Sequence, residues 1–236
     1  MRLSIIIPTR NEASQIATQI RYLQSLDRGE NTQVEIIVCD GESSDNTADI
    51  ARNCGAIVVK TAPNRGLQQN AGAQQNPQNS RGEVLWFLHA DARPHAHSIR
   101  YLENAMQHKN ISGGNFRLRF DASTPATRAF STIAKLQRAR GVYYGDSGIW
   151  VKREVFDLMN GFRDWPLFED YDFARRLEKF SRRHGMRAEY SGLPITVSSR
   201  RLEKRAGKVL WQWLALQILF SCGASPEKLA RLYYEP

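Results

Sequence analysis

Three short apolar runs in the N-terminal part of the chain each break off into polar or acidic side chains, and this pattern restricts the fold more than any other feature. Ser4-Ile5-Ile6-Ile7 runs into Pro8-Thr9-Arg10-Asn11-Glu12, residues 34–39 run into Asp40-Gly41, and residues 84–88 run into His89-Ala90-Asp91. Runs this short with little alternation suit strands buried on both faces. Between them, apolar residues recur at helical spacing. Ile16, Ile20, Leu23 and Leu26 precede the turn Asp27-Arg28-Gly29, and Ala48, Ile50, Ala51 and Cys54 lie between a Ser44-Asp45 cap and a Gly55 stop. Residues 56–59 read as a further strand, residues 67–75 and 98–107 as helices, and the third run as a strand ending at Asp91. The alternation predicts an α/β fold with a mainly parallel, doubly wound sheet and flanking helices. The polar strand-end loops of such a sheet open on one crevice.

The second half is less regular. Residues 115–120 alternate apolar and basic side chains, as a strand with one wet face does. Residues 126–140 read as a helix. A glycine-rich loop, Tyr143-Tyr144-Gly145-Asp146-Ser147-Gly148, then enters a strand over 149–151, followed by a short helix over 152–159. A helix is expected over 170–183, with Glu169, Asp170 and Asp172 in its first turn, where carboxylates are favoured by the helix dipole.

At 236 residues, with no linker, repeat or low-complexity block, the chain is expected to form one domain over 1–236. Within it, 201–236 would be a basic, amphipathic helical tail. Cys39, Cys54 and Cys222 are odd in number and widely spaced, which suits free thiols in the cytoplasm. The apolar stretch at the N-terminus is too short for a signal sequence. Residues 209–220, interrupted by Gln212 and Gln217, fall short of the roughly 20 apolar residues a membrane span needs. The net charge of +9 points to an anionic partner without choosing among nucleic acid, membrane surface and phosphorylated ligand.

Asp91 is read either as a turn cap or as a cation ligand, since Mg²⁺ and Mn²⁺ keep several non-protein ligands and need few carboxylates. His89, two residues earlier, is a weaker second ligand or a packed histidine. Asp40 is read as a turn residue or as an acceptor for a nucleobase N–H, with Gly41 allowing close backbone approach. Glu169 and Asp170 are a helix cap or a general base.

Taken in order, Pro8-Thr9-Arg10-Asn11-Glu12, Asp40-Gly41-Glu42-Ser43-Ser44-Asp45, His89-Ala90-Asp91, Gly145-Asp146-Ser147-Gly148 and Glu169-Asp170-Tyr171-Asp172 resemble the family 2 glycosyltransferases. The match runs from about Ser4 to Phe173. With the ending Gly223-Ala224-Ser225-Pro226-Glu227-Lys228-Leu229-Ala230, it resembles a bacterial subgroup of small members. The resemblance implies a GT-A fold with 1–110 as the nucleotide-sugar-binding half and 111–200 as the acceptor-binding half, a nucleotide-diphospho-sugar donor, a divalent metal (Mg²⁺ or Mn²⁺) and a single inverting displacement. It also implies that Pro8, Thr9, Asn11 and Glu12 line the nucleotide pocket, that Asp40 holds the base, and that Arg65, Gly66 and Gln69 flank the nucleoside. Asp91 would hold the metal, Glu169 would lie beside the donor, and Asp170 would be the base that deprotonates an acceptor hydroxyl. The family usually has a second carboxylate where His89 stands.

Two other classes compete. A nucleotidyltransferase would carry a glycine-rich basic loop after the first strand, where this chain has Pro8–Glu12. A basic nucleic-acid or membrane-surface module explains the charge but not the acidic residues at several strand ends, which would repel phosphates, so nucleic acid is disfavoured. Arg200, Arg201, Lys204, Arg205 and Lys208 precede a helix containing Trp211 and Trp213. That helix is read either as packed on the core or as lying on the anionic inner face of a membrane, in which case the acceptor is a lipid or lipid-linked sugar.

Overall fold

A computed structural model describes residues 1–74 and 82–234, without the side chains of 201–206 and 208–210. The parallel half is as the apolar runs predict. Strands β1 (Arg2–Thr9), β2 (Gln33–Asp40), β3 (Ile57–Lys60) and β4 (Val84–Phe87) lie in the order β3-β2-β1-β4, all parallel. Helices α1 (Ile16–Gln24), α2 (Thr47–Asn53) and α3 (Arg65–Gln74) connect them, and α4 (Ser98–Met106) follows. The strand period of two separates the faces. Ile5 and Ile7 pack with Ile16, Ile20 and Leu102 on one side, while Ile6 packs with Ala73, Phe87 and Phe173 on the other.

Two local expectations need correction. The third run leaves the sheet at Phe87, so Asp91 stands on a turn and not at a strand terminus. The N-cap of α2 is Asn46, not Ser44 or Asp45. Asp45 sits one residue earlier and accepts the Thr47 N–H at 3.0 Å, satisfying an orphan donor from outside the cap position.

The remaining strands complete an eight-stranded sheet, β3-β2-β1-β4-β7-β6-β8-β5. In it β5 is Arg93–Pro94, β6 Ile111–Phe120, β7 Trp150–Lys152 and β8 Arg187–Val197. β7 runs antiparallel between β4 and β6, so the sheet is mixed. β6 is buried through Phe116 and alternates only beyond it. β5 and β8 had no sequence signal. β8 carries Gly192 and Pro194, and its pairing with β6 slips between Ser191 and Pro194, an irregularity that removes the period-two pattern. Helix α5 (Pro125–Ala139) starts at a Thr124–Thr127 capping box. α6 (Arg153–Leu158) and α7 (Glu169–Arg183) pack behind the sheet with Phe156, Phe173 and Leu177.

The helical tail divides in two: α8 (Arg200–Ser221) begins well before the apolar stretch, and α9 (Pro226–Tyr234) follows it. The side chains of Arg201, Lys204, Arg205 and Lys208 lie outside the described residues. α8 answers the packed-or-interfacial question with two faces. Leu216 and Phe220 pack with Phe168 and Leu229, while Trp211 and Ile218 on the opposite face are 74% and 62% exposed. Among the described residues no helix is long and apolar enough to cross a membrane.

Candidate active site

β1 sits between β2 and β4, so the polar loops after these strands meet side by side, with Thr9 opposite Asp40 in the register. The first two loops are bonded to each other. Asn11 N–H donates to Ser43 Oγ at 2.9 Å, Asn11 Oδ1 accepts from Ser44 N–H at 2.8 Å, and Glu12 N–H donates to Thr47 Oγ1 at 2.8 Å. Asn11 has φ 56°, a left-handed conformation that Asn tolerates better than most residues. Gln68 Nε2 of α3 donates to Thr9 O at 2.9 Å and Cys39 O at 2.7 Å, clipping the ends of β1 and β2 together.

Beside these loops opens a cavity of about 810 Å³. Of the expected site residues, Pro8, Thr9, Glu12, Arg65, His89, Asp91 and Asp170 line it. Asn11, Asp40, Gly66, Gln69 and Glu169 do not, and each has a place behind or beside it. Asn11 is taken up in the loop-to-loop bonds. Asp40 is buried at the end of β2, with Oδ2 accepting the Ser43 N–H at 3.3 Å and Oδ1 without a hydrogen-bond partner. Gly66 allows a close approach, because a Cβ there would lie 2.4 Å from Arg163 O. Gln69 is buried with its Oε1 unpartnered. Glu169 is buried under Arg65, whose Nε it holds at 2.9 Å.

Asp91 is exposed at the tip of a turn closed by Ala92 N–H donating to His89 O at 3.1 Å. Gln19 of α1 donates to Ala92 O at 2.6 Å and fixes that turn. Asp170, in the first turn of α7, accepts the Gly145 N–H on Oδ2 and the Tyr171 N–H on Oδ1, both at 2.7 Å. Glycine at 145 permits close packing. A Cβ there would stand 3.1 Å from both Asp170 Oδ2 and His89 Nε2, so the missing side chain lets the acidic helix terminus and the His89 turn converge.

Sequence reasoning quoted Asp146 within a motif but gave it no role. It lines the same cavity, half-buried, and burial together with the charges of Asp170 and Asp91 pushes its pKa up to about 7 against the pull of Arg65. Glu169 is pushed up to about 7 by burial and by Asp170, again opposed by Arg65. Burial works against the charge on Arg65, and Glu169 and Asp170 more than offset it, raising its pKa. The floor therefore crowds carboxylates from three different loops near one arginine. Among the described residues, no three His, Cys, Asp or Glu side chains are placed to hold a metal ion by themselves.

Other lining residues were also missed. Arg10 extends the β1 loop, and Leu118, Phe120, Phe130, Ile133, Val197 and Trp213 form an apolar wall. A local signal existed only for Arg10, inside the quoted Pro8–Glu12 motif. The wall draws on β6, α5, β8 and α8, distant in sequence. The tail also supports the acidic turn. Phe168, which caps α7 with φ 66°, stacks on Phe220 of α8 at 4.5 Å between ring centroids. That contact helps hold the strained residue preceding Glu169 and Asp170.

Comparison with known proteins agrees with this geometry. The family model described as glycosyl transferase family 2 matches residues 4–206. A probable glycosyltransferase of Bacillus subtilis, YdaM, is 25% identical over 195 residues, covering 75% of this chain and 46% of that protein. The undecaprenyl-phosphate 4-deoxy-4-formamido-L-arabinose transferase of Aeromonas hydrophila is 25% identical over 197 residues, covering 79% of this chain and 60% of its own. The chain thus spans about half to three-fifths of the length of these relatives. Among solved structures, the mannosyltransferase PcManGT from Pyrobaculum calidifontis, in complex with GDP-Man and Mn²⁺, superposes with a TM-score of 0.65 at 19% identity, covering 98% of this chain and 68% of that one. Glucosyl-3-phosphoglycerate synthase from Mycobacterium tuberculosis, with Mn²⁺ and UDP-glucose, gives a TM-score of 0.57 at 18% identity, covering 94% and 79%. The fold is GT-A.

Proposed function

Because the chain belongs to glycosyl transferase family 2, we propose that it moves a sugar from a nucleotide-diphospho-sugar to an acceptor hydroxyl in one inverting displacement. The observation that carries this reading is that Asp91 and Asp170, from loops far apart in sequence, line one cavity together with Arg10 and Arg65.

Each residue then has a task. Asp170, oriented by the Gly145 and Tyr171 N–H groups, takes the proton of the acceptor hydroxyl as its oxygen attacks the anomeric carbon and the bond to the diphosphate breaks. Arg65, braced by Glu169, and Arg10 take up charge on the departing nucleoside diphosphate. Asp40, with an unpartnered buried Oδ1, accepts a nucleobase N–H at the back of the β1 and β2 loops, which Pro8, Thr9, Asn11 and Glu12 shape. Gly66 and Gln69 hold α3, and with it Arg65, against the nucleoside side.

The residues present fit a divalent cation, Mg²⁺ or Mn²⁺. Burial and the charges of Asp170 and Asp91 make Asp146 costly to ionise, and a cation shared with the diphosphate relieves that crowding without a third protein ligand. Asp91 would hold it, with His89 and Asp146 beside it, and the bound ion would supply neutralising charge to the leaving oxygen.

Three cysteines without a disulfide suit the cytoplasm, and the exposed outer face of α8 suits a peripheral position on the membrane's inner face. A relative named for an undecaprenyl-phosphate substrate supports a lipid-linked acceptor. Failure to float with anionic liposomes would remove the membrane part alone. The transfer itself is tested by calorimetry with UDP-, GDP- and dTDP-sugars with and without Mn²⁺, followed by donor hydrolysis in the parent, Asp91→Ala and Asp170→Asn proteins. Metal-dependent binding of one donor, lost activity in both variants and retained folding are expected. Equal activity in all three overturns both assignments.

A further inference from the structure

We propose that the part of the cavity walled by β6, α5 and α8 seats the apolar chain of an amphiphilic acceptor, with that acceptor's phosphate facing Lys135 and Arg200. The inference rests on the transferase reading above and names the acceptor's chemistry.

Its first support is a helix that does not bury its apolar stripe in protein. Phe130, Ile133 and Ala134 of α5 fall at the i, i+3, i+4 spacing of one helix face, which in a globular protein packs into the core. Here all three line the cavity and are only half-buried, and the one residue of α5 that is fully buried is Thr127. Leu118 and Phe120 of β6, Val197 of β8 and Trp213 of α8 extend the same wall. The polar side of the cavity needs no such lining, since a sugar and a diphosphate are bound by the charged groups around Asp91 and Asp170. An apolar wall opening on a polar reaction floor calls for a ligand with both characters.

The second support is charge. Lys135 and Arg200 line this cavity and have no carboxylate partner among the described residues. Arg138, by contrast, also lines it but is neutralised by Glu178 at 2.8 Å and held by Asn115 Oδ1 at 2.6 Å. Two cations with no carboxylate partner among the described residues, beside an apolar seat, complement a phosphate joined to a hydrocarbon chain. The opposite face of α8 leaves Trp211, Leu214 and Ile218 exposed, which suits contact with the bilayer that such a molecule would leave.

The test is titration calorimetry of the full chain with butyl, hexyl and octyl phosphate, each below its aggregation threshold, beside inorganic phosphate and octanol. Affinity should rise about fourfold for each methylene that enters the seat. Octyl phosphate should bind at least tenfold more tightly than octanol, and inorganic phosphate should give no heat at the same concentration. Ala134→Trp, which fills the seat, should weaken octyl phosphate tenfold or more. Lys135→Glu, on an exposed side chain, should weaken it severalfold and lower its salt dependence, with circular dichroism melts confirming that both variants fold. Affinity independent of chain length, or octyl phosphate binding unchanged in both folded variants, overturns the proposal. Binding to anionic phospholipid vesicles without binding of soluble octyl phosphate also overturns it, because the contact is then the outer face of α8. Titration of the same protein with UDP-glucose and GDP-mannose plus Mn²⁺ separates the two readings. A donor that binds while octyl phosphate does not sinks this inference alone, whereas no donor binding at all sinks the transferase reading.

Discussion

The two halves of the sheet build the same cavity by different means. On the β3-β2-β1-β4 side, parallel strands end together and hand the cavity short polar loops, so Arg10, Glu12 and Asp91 come from turns fixed by hydrogen bonds to the backbone. On the β7-β6-β8 side the antiparallel β7 separates β4 from the parallel pair β6 and β8, and the wall is made of side chains from helices and strands that pack on one another. The first arrangement places charge precisely where strands stop. The second places surface, whose shape depends on packing. Chemistry should therefore be sensitive to single atoms on the first side and stability to buried partners on the second.

The largest effect expected is on rate. Asp170→Asn keeps the size of the side chain and removes the base, so turnover should fall about 10²- to 10⁴-fold while donor affinity by calorimetry stays within a few-fold. A variant as fast as the parent would show that the acidic turn, which the second half of the chain adds to the polar floor, is only a helix terminus. Next is the buried ion pair of the second half. Arg138 and Glu178 have side chains only 11% exposed, and Arg138→Met leaves Glu178 charged and unpaired. Urea unfolding should show a loss of about 3 kcal/mol, and a loss below about 0.5 kcal/mol would mean that water already reaches the pair. Phe220→Ala, which removes the ring stacked on Phe168, should cost about 2 kcal/mol and lower turnover by loosening the start of α7. Lost stability with unchanged turnover would uncouple the tail from the acidic turn.

The smallest effect sharpens the comparison through pH. Asp146 has a folded pKa of about 7, above its ordinary value of 3.8. Its proton-linked contribution to stability is therefore complete below the ordinary value and is lost as pH rises through the folded one. In metal-free buffer Asp146→Asn escapes that loss, so it should melt a few degrees higher than the parent at about pH 8, with the gap shrinking toward about pH 5. Glu169 adds a loss of the same sign to both proteins. A gap that does not change with pH would mean that neither burial nor the charges of Asp170 and Asp91 raise the Asp146 carboxyl.

Local pattern made the parallel half legible. Ile5, Ile6 and Ile7 announce a strand buried on both faces, Ile16, Ile20 and Leu23 announce the helix over it, and Gly55 at φ 83° ends α2 where the stop was read. The order of the short motifs also pointed to Asp91 and Asp170 as partners, and both line the cavity. The same reading put Asn11 and Glu169 at the ligand. The structure gives each a protein partner, Asn11 tying two loops together and Glu169 bracing Arg65, and residue type alone does not say which neighbour a polar side chain meets first.

What the sequence by itself determined was the strand–helix alternation, the family and the polar strand ends, since each depends on spacing along a short stretch of chain. Only the tertiary structure decided that β7 would run antiparallel between β4 and β6, that Asp146 would stand close enough to Asp91 and Asp170 for their charges to raise its pKa, and that α5 would turn its apolar stripe to a cavity. These follow from contacts between segments far apart in the chain. Such contacts are selected by closure of the whole sheet and by the burial it makes possible, and no local period records them.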